Sequence, residues 1–419
     1  MKARYRYRVY PKPAQISALN QLFGCVRVVW NDALNFCNQS YRDGVKYPGE
    51  SELQKQFITN AKKTEHRQWL SQVSNIPLQQ SIRDLGTAYS NFFKSCTGER
   101  KGKKAMPPKF KKRSNAQSCR FRVGGFKVNK RTVYLAKIGK LKIEWSRPLP
   151  SDVSGGSFPP KARAADPSSV TLIRDAANRY FMSFVVEINP AQLPDNGVGI
   201  GIDLGIVDFA TFNTGEKVKS PKPLKARLRR LKKAQRKLRK KIKGSNRLKA
   251  AKLKVAKIHA KIKDIRTDFL HKLSTRIVNE NQVIALEDLN VSGMIKNRKL
   301  SRAISDLGWR SFRTMLEAKS AMYGRDLRVI SRWEPTSQKC SCCGEKGGKK
   351  ELDVREWECL FCGAKHDRDV NASRNILQVA GGQSDTQNGR GGDVRLPSNV
   401  AISDEASTCL NLEPTGTKY

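Results

Sequence analysis

Acids that stand inside apolar runs need a physical reason, because a buried carboxylate costs desolvation energy unless it is paired or binds a cation. Asp203 is the single acid in the strand-like stretch Val198-Gly-Ile-Gly-Ile-Asp-Leu-Gly-Ile-Val207. Glu287 ends a second such run, Gln282-Val-Ile-Ala-Leu-Glu-Asp-Leu289. Asp288 beside it would point to the opposite face of a continuing strand, which makes it the weaker ligand. Asp369 stands just before Asn371-Ala-Ser-Arg-Asn-Ile-Leu377, which reads as a short helix, and Asp367 is its local rival. For any one of these acids, a hydrogen-bonded strand end or helix start is a competing explanation. Three carboxylates together can hold two Mg²⁺ ions about 3.5–4 Å apart, one activating water and one stabilising a leaving 3′ oxygen.

A second chemistry-bearing set follows. Cys340-Ser-Cys-Cys343 and Cys359-Leu-Phe-Cys362 form a C-x₂-C…C-x₂-C pair with 15 residues between its halves. That spacing fits a structural zinc ribbon with Cys340, Cys343, Cys359 and Cys362 as ligands. Using Cys342 would leave only a C-x-C pair, so it is the spare thiol. A closed four-thiolate shell leaves no position for substrate, so this zinc is structural. The other five of the ten cysteines are scattered, which argues for reduced thiols over a secreted disulfide scaffold.

Composition narrows the partner. The 419 residues carry 81 Lys and Arg against 37 Asp and Glu, a formal net charge of +44. So large an excess points to a polyanion. No apolar run approaches the ~20 residues of a spanning helix, and the first residues lack a signal-peptide core, so no membrane role is expected. Nucleic acid in a cytoplasmic or nucleoid setting is the expectation.

The elements that must position these residues can be read in order. Residues 1–10 alternate basic with aromatic or apolar side chains, which suits an edge strand whose basic residues around position 4 face phosphate. Helical spacing of Ile16, Leu19, Leu22, Phe23, Val26, Val29 and Trp30 predicts an amphipathic helix from Gln15 to Tyr41. Further helices are expected at about 51–61 and 78–93, followed by a mobile basic loop, Lys94 to Arg113, in which Lys109 and Lys111 flank Phe110. Short strands between Cys119 and Ile188 predict a small antiparallel barrel or sheet, into which the helices are inserted. Between Lys222 and Arg266 stand 21 Lys or Arg and one acid, Asp264, along a helical apolar stripe that includes Leu231, Leu238, Ile242, Ile258 and Ile262. Such a stripe predicts a helical hairpin with one buried seam per helix and a basic face carrying Arg229, Arg230, Arg236 and Arg239. A solvated helix normally mixes charge signs, so this one-sided face calls for external neutralisation.

Assembled in this way, the acids resemble those of RNase H-like nucleases, and the chain closely resembles the TnpB family of transposon-encoded RNA-guided DNA nucleases. The matching segments are Gly201-Ile-Asp-Leu-Gly205, Asp268-Phe-Leu-His-Lys-Leu-Ser-Thr275, Leu286-Glu-Asp-Leu289, Trp333-Glu-Pro-Thr-Ser-Gln-Lys-Cys340, the four cysteines and Asp367-Arg-Asp-Val-Asn-Ala-Ser-Arg-Asn-Ile376. The resemblance implies Asp203, Glu287 and Asp369 as a RuvC triad, with Asp369 and not Asp367 in the catalytic place. It implies a multidomain α/β fold: a wedge-type β-barrel (1–10 and 116–190) with an inserted helical recognition domain (11–115). A RuvC domain (197–332 and 366–380) follows, carrying the basic hairpin (222–278) and the zinc ribbon (333–365), with a disordered tail over 381–419. It further implies a guide RNA from the transposon end and double-stranded target DNA, cut beside a short motif that the region of Ser51, Ile76 and Gln79 would read, by a monomer carrying RNA. The rivals are a nuclease-inactive RNA-guided repressor, a strand-transferring transposase and a non-enzymatic RNA-binding protein. The first would lack a triad acid, the second suits the ribbon's position poorly, and the third gives the strand acids no purpose.

Overall fold

A computed structural model describes residues 2–100, 102, 104–149, 167–190, 192–351 and 353–382. The tail expected to be disordered lies outside them from residue 383 onward. The chain separates into two compact units, the first comprising residues up to Asn189 together with Lys252–Lys257, the second comprising the remainder.

In the first unit, β1 (Lys2–Tyr10) alternates as its sequence does: Tyr7 and Val9 are buried, while Lys2, Arg4 and Arg6 are exposed. Its position corrects the expectation of an edge strand, because β1 lies inside its sheet with a neighbour on each side. Alternation reports which faces of a strand are wet and says nothing about who occupies its two hydrogen-bonding edges. Helix α1 (Pro13–Arg42) begins with proline, whose missing N–H costs nothing in a first turn, and buries the stripe Leu19, Leu22, Phe23, Val26, Val29, Trp30, Ala33 and Leu34. The second expected helix is only α2 (Glu50–Gln54), which passes into a π-turn over Lys55–Asn60. Helix α3 (Asn75–Cys96) packs on α1 and extends past the expected bounds at both ends.

The basic segment after α3 is fastened at its far end, where a mobile loop was expected. Trp30 Nε1 donates to the Lys109 carbonyl at 3.1 Å, and the Asn31 side chain accepts from Lys111 N at 2.8 Å and donates to its carbonyl at 3.1 Å. The remaining strands are β2 (Gln117–Arg122), β3 (Phe126–Val128), β4 (Thr132–Leu135), β5 (Gly139–Glu144), β6 (Ser169–Arg174) and β7 (Tyr180–Glu187). They form one antiparallel sheet in the order β2-β6-β7-β1-β5-β4-β3. A closed barrel would require β2 and β3 to pair, and among the described strands they do not.

The second unit is built on β8 (Gly199–Asp203), β9 (Ala210–Phe212) and β10 (Lys217–Val218), then the hairpin of α4 (Pro223–Arg239) and α5 (Asn246–Glu280). There follow β11 (Val283–Glu287), α6 (Val291–Met294), α7 (Ser301–Leu307), α8 (Trp309–Tyr323) and β12 (Asp326–Ile330). The chain continues through β13 (Glu356–Glu358) and β14 (Lys365–Asp367) into α9 (Arg368–Gly382). The sheet order is β10-β9-β8-β11-β12, with β8, β11 and β12 parallel and β9 and β10 antiparallel to their neighbours. Ile200, Ile202, Ile284 and Leu286 join one large core with Phe209, Leu270, Ile277, Phe312 and Leu316. Ala285 faces the other way, to Ile330, Ile376 and Ala380 under α9.

The hairpin turns at Gly244, whose φ of 88° suits glycine, and Ser245 caps α5 by accepting from Leu248 N at 3.1 Å. The buried carboxylate of Asp306 accepts from Leu224 N and Lys225 N, anchoring the positive end of α4. Ile242 departs from the expected seam: it is 81% exposed at the hairpin tip, where α4 has already ended. Among the described residues no helix is long and apolar enough to cross a membrane.

Candidate active site and cysteine cluster

Strand period and register bring two of the acids together. Alternation along β8 puts Gly199, Gly201 and Asp203 opposite Ile200 and Ile202, hence on the α9 side. In β11 the same rule puts Val283, Ala285 and Glu287 on that side. Gly201 pairs with Ala285 and Ile202 with Leu286 in a parallel ladder. One further step sets Glu287 alongside Asp203. Helix α9 covers this face and carries Asp369 in its first turn. The approach is close enough that a Cβ on Gly201 would lie 2.0 Å from the Ser373 carbonyl oxygen. Only glycine admits the helix at this depth.

The electrostatics mark Asp203 as the centre of the group. Burial first, then the charges of Asp369 and Glu287, push its carboxyl from an ordinary 3.8 up to about 7. Burial and the adjacent Asp288 also raise Glu287, against the pull of Arg332. The rival acids are spoken for. Asp288 lies against Arg313, at 2.5 Å, and Arg332, which hold its carboxyl below the usual range although burial opposes them. Asp367 takes Lys217 at 2.5 Å and accepts from the backbone N–H groups of Asp369 and Val370 at 3.0 Å, capping α9. Lys217 and these N–H groups overcome the effect of burial and lower its carboxyl. Asp369 pairs with Arg355 at 3.5 Å.

The cysteine cluster is tighter. Sγ of Cys340, Cys343, Cys359 and Cys362 lie within 4.8 Å of one another, with Cys340–Cys362 at 3.7 Å and Cys343–Cys359 at 3.6 Å. Four thiolates about 2.3 Å from a tetrahedral zinc would stand roughly 3.8 Å apart, so the cluster suits that metal. Cys342 also lies near Cys340 and His366, but it is disulfide-bonded and offers no thiolate, which corrects the reading of it as a spare thiol. The three carboxylates do not form a grouping this tight.

Several supporting residues carried no sequence signal. His366 Nε2 stands 3.0 Å from Cys340 Sγ, and its ring packs against Trp357 at 4.7 Å. Asn371 donates to the Lys339 carbonyl at 2.7 Å and accepts from Ser341 N at 2.9 Å. Asn375 donates to the carbonyls of Thr336 and Lys339, both at 2.7 Å. The first cysteine loop is therefore clasped by α9, the helix that carries Asp369. Asn at an i,i+4 spacing was visible in the sequence, but nothing there named its partner.

The other candidate residues fall in both units. Ser51 is exposed on α2, and Ile76 and Gln79 lie in the first turns of α3, Gln79 exposed. Lys109 is exposed, whereas Lys111 turns inward over the Trp30 ring at 3.7 Å, where burial brings its ammonium down to about 8. Arg229, Arg230, Arg236 and Arg239 are all exposed along α4.

Comparison with known proteins now decides the family. Residues 183–298 match the family described as "Probable transposase", residues 309–376 the "Cas12f1-like, TNB domain", and residues 1–46 a "Helix-turn-helix domain". A relative from Streptomyces pristinaespiralis, provisionally named an RNA-guided DNA endonuclease, is 44% identical over 382 residues, covering 90% of this chain and 89% of that one. The chain belongs to the TnpB family of endodeoxyribonucleases. An Escherichia coli (strain K12) relative with the same provisional description is 28% identical, covering 89% of this chain and 91% of its own. A solved complex of Cas12f1 with sgRNA and target DNA aligns at a TM-score of 0.49 and 16% identity, covering 87% and 82% of the two chains. That likeness is too distant to bear on this TnpB chain's site, which rests on its own geometry.

Proposed function

We propose that this chain is an RNA-guided, Mg²⁺-dependent DNA endonuclease that loads a guide RNA from the transposon end and cuts double-stranded DNA beside a short motif. The single observation that carries the reading is the gathering of Asp203, Glu287 and Asp369 on the α9 face, with Asp203 forced up to about 7 by burial and its two neighbours. A protein that keeps three acids in mutual repulsion needs a cation to relieve it. Divalent ions bound there would supply an activated water and charge stabilisation for a leaving 3′ oxygen. Asp203 must be ionised to hold them, so Asp203 sets the protonation requirement, while Glu287 and Asp369 complete the ligand shell from the neighbouring strand and helix. Asp288 and Asp367 stay outside that shell because their arginine and lysine partners already neutralise them.

Zinc in the cluster of Cys340, Cys343, Cys359 and Cys362 would be structural, holding the loop that clasps α9. The exposed arginines of α4 and Lys109 would track nucleic-acid phosphate, and Ser51, Ile76 and Gln79 would face the target-adjacent motif. Lys111, turned onto Trp30, would shape the basic segment from within. An inactive repressor would have no use for an intact, repelling triad, and a strand-transferring transposase is the remaining rival. Protein purified with its RNA and offered a library of duplexes with randomised flanking sequence decides between them. Mg²⁺-dependent cleavage beside one flank is expected; joined strands, or no cleavage at any flank, would sink the reading.

A further inference from the structure

Three arginines converge on one cavity in the first unit. The cavity, about 300 Å³, is lined by Asn20, Phe23, Arg27, Arg113, Gln117 and Arg174. Asn20, Phe23 and Arg27 recur at three- and four-residue spacing and so share one face of α1. Gln117 and Arg174 are paired across β2 and β6, and Arg113 comes from the segment leading into β2. The guanidinium groups are oriented by neutral partners. Arg27 donates to Gln117 Oε1 at 2.7 Å, and Arg174 donates to Asn20 Oδ1 and lies 5.7 Å from the centre of the Phe23 ring. Gln117 in turn donates to the carbonyls of Lys112, Arg113 and Asn115, which fixes the segment that presents Arg113.

What is missing is an acid. Elsewhere in this unit Arg67 pairs with Asp32, Arg120 with Asp84 and Arg179 with Asp175. Among the described residues, no carboxylate lies within ion-pair distance of Arg27, Arg113 or Arg174. Burial, then the charges of Arg113 and Arg174, hold Arg27 below its ordinary value. Two guanidinium forks held in place and a third presented from a fixed segment, around a partly enclosed space, are complementary to a tetrahedral oxyanion. The volume is at the lower end of ligand pockets, which suits one phosphate with part of its nucleoside.

We propose that this pocket binds a single backbone phosphodiester of the nucleic acid that the protein carries, held between Arg27, Arg113 and Arg174. The identity of the ligand rests on the nucleic-acid reading above; the anion chemistry does not. The test uses the full chain freed of nucleic acid, with Arg174→Gln and the exposed Arg113→Gln as variants. Its probes are inorganic pyrophosphate, a labelled single-stranded RNA and a labelled DNA duplex. Pyrophosphate should raise the melting temperature of the wild type and not that of Arg174→Gln. Without anion, that variant should melt no lower than wild type, because its loss relieves repulsion. Each variant should reduce the slope of log affinity against log salt by about one phosphate contact and weaken binding at 0.15 M salt by roughly fivefold to tenfold. Loss confined to the RNA probe assigns the phosphate to RNA, and loss confined to the duplex assigns it to DNA. Unchanged slopes for both probes with an unchanged pyrophosphate response in both variants would overturn the pocket. A wild type that responds to pyrophosphate but binds neither polynucleotide would overturn the ligand assignment together with the nucleic-acid reading.

Discussion

The cysteine cluster and the acid centre both gather groups able to hold a metal around a point, and they do so under opposite constraints. The four sulfurs stand at tetrahedral spacing, two of them fully buried, with His366 and backbone N–H groups around Cys340. The acids come from a strand, a second strand and a helix, and at Asp203 burial and the charges of Asp369 and Glu287 outweigh the pull of Arg368. A closed, pre-spaced shell suits a metal that never leaves. An open, strained one suits ions that must also meet water and substrate. The two are joined by α9, since Asn371 and Asn375 grip the first cysteine loop while Asp369 occupies the helix's first turn.

The comparison can be broken at either end. Asp203→Ala should lower Mg²⁺-dependent DNA cleavage by on the order of 10³-fold or more, with bound RNA and cysteine-bound zinc retained; concurrent loss of zinc would show that the two regions are not separable. Cys359→Ser should release zinc, measured by metal analysis, and destabilise the second unit by several kcal/mol, read by limited proteolysis. Cleavage should fall with it, because α9 loses its clasp; full activity in a zinc-free variant would refute the link.

The acid centre also predicts a pH signature in metal-free protein. Asp203's folded value of about 7 lies above the ordinary 3.8. Its protonated form therefore contributes stability that is fully present below pH 4 and lost as pH rises through 7, on the order of 4 kcal/mol. Wild type should lose melting temperature over that window relative to Asp203→Asn, and added Mg²⁺ should restore it. Parallel melting curves for the two proteins would count against the buried repulsion. The smallest effect is expected from Asn371→Ala, about 1–3 kcal/mol for the unpaired backbone groups it leaves behind. Zinc should stay bound and the cleavage rate should drop, which separates positioning of Asp369 from metal loss.

Gly201 shows how local signals and tertiary packing divide the work. In the sequence it is one glycine of a strand-like run; in the fold it is the point where α9 touches β8, and a methyl group there would collide with the Ser373 carbonyl. The acids divide in the same way. Asp288 and Asp367 have the same chemistry as Glu287 and Asp369 one or two residues away, and it is their close ion pairs with Arg313, Arg332 and Lys217, with the N–H groups capped by Asp367, that mark them as structural acids.

The sequence by itself determined the local features: the strand runs bearing Asp203 and Glu287, the cysteine spacing, the apolar stripe of α1 and the unneutralised charge of the 222–266 segment. These depend on residues within a few positions of one another, where side-chain period and ligand spacing act directly. Tertiary structure alone decided that β1 lies inside its sheet, that the segment at Lys109–Lys111 is pinned to Trp30 and Asn31 and that α9 clasps the first cysteine loop. Each of those depends on a partner tens to hundreds of residues away, chosen by strand pairing, packing depth and hydrogen-bond satisfaction, which no local pattern encodes.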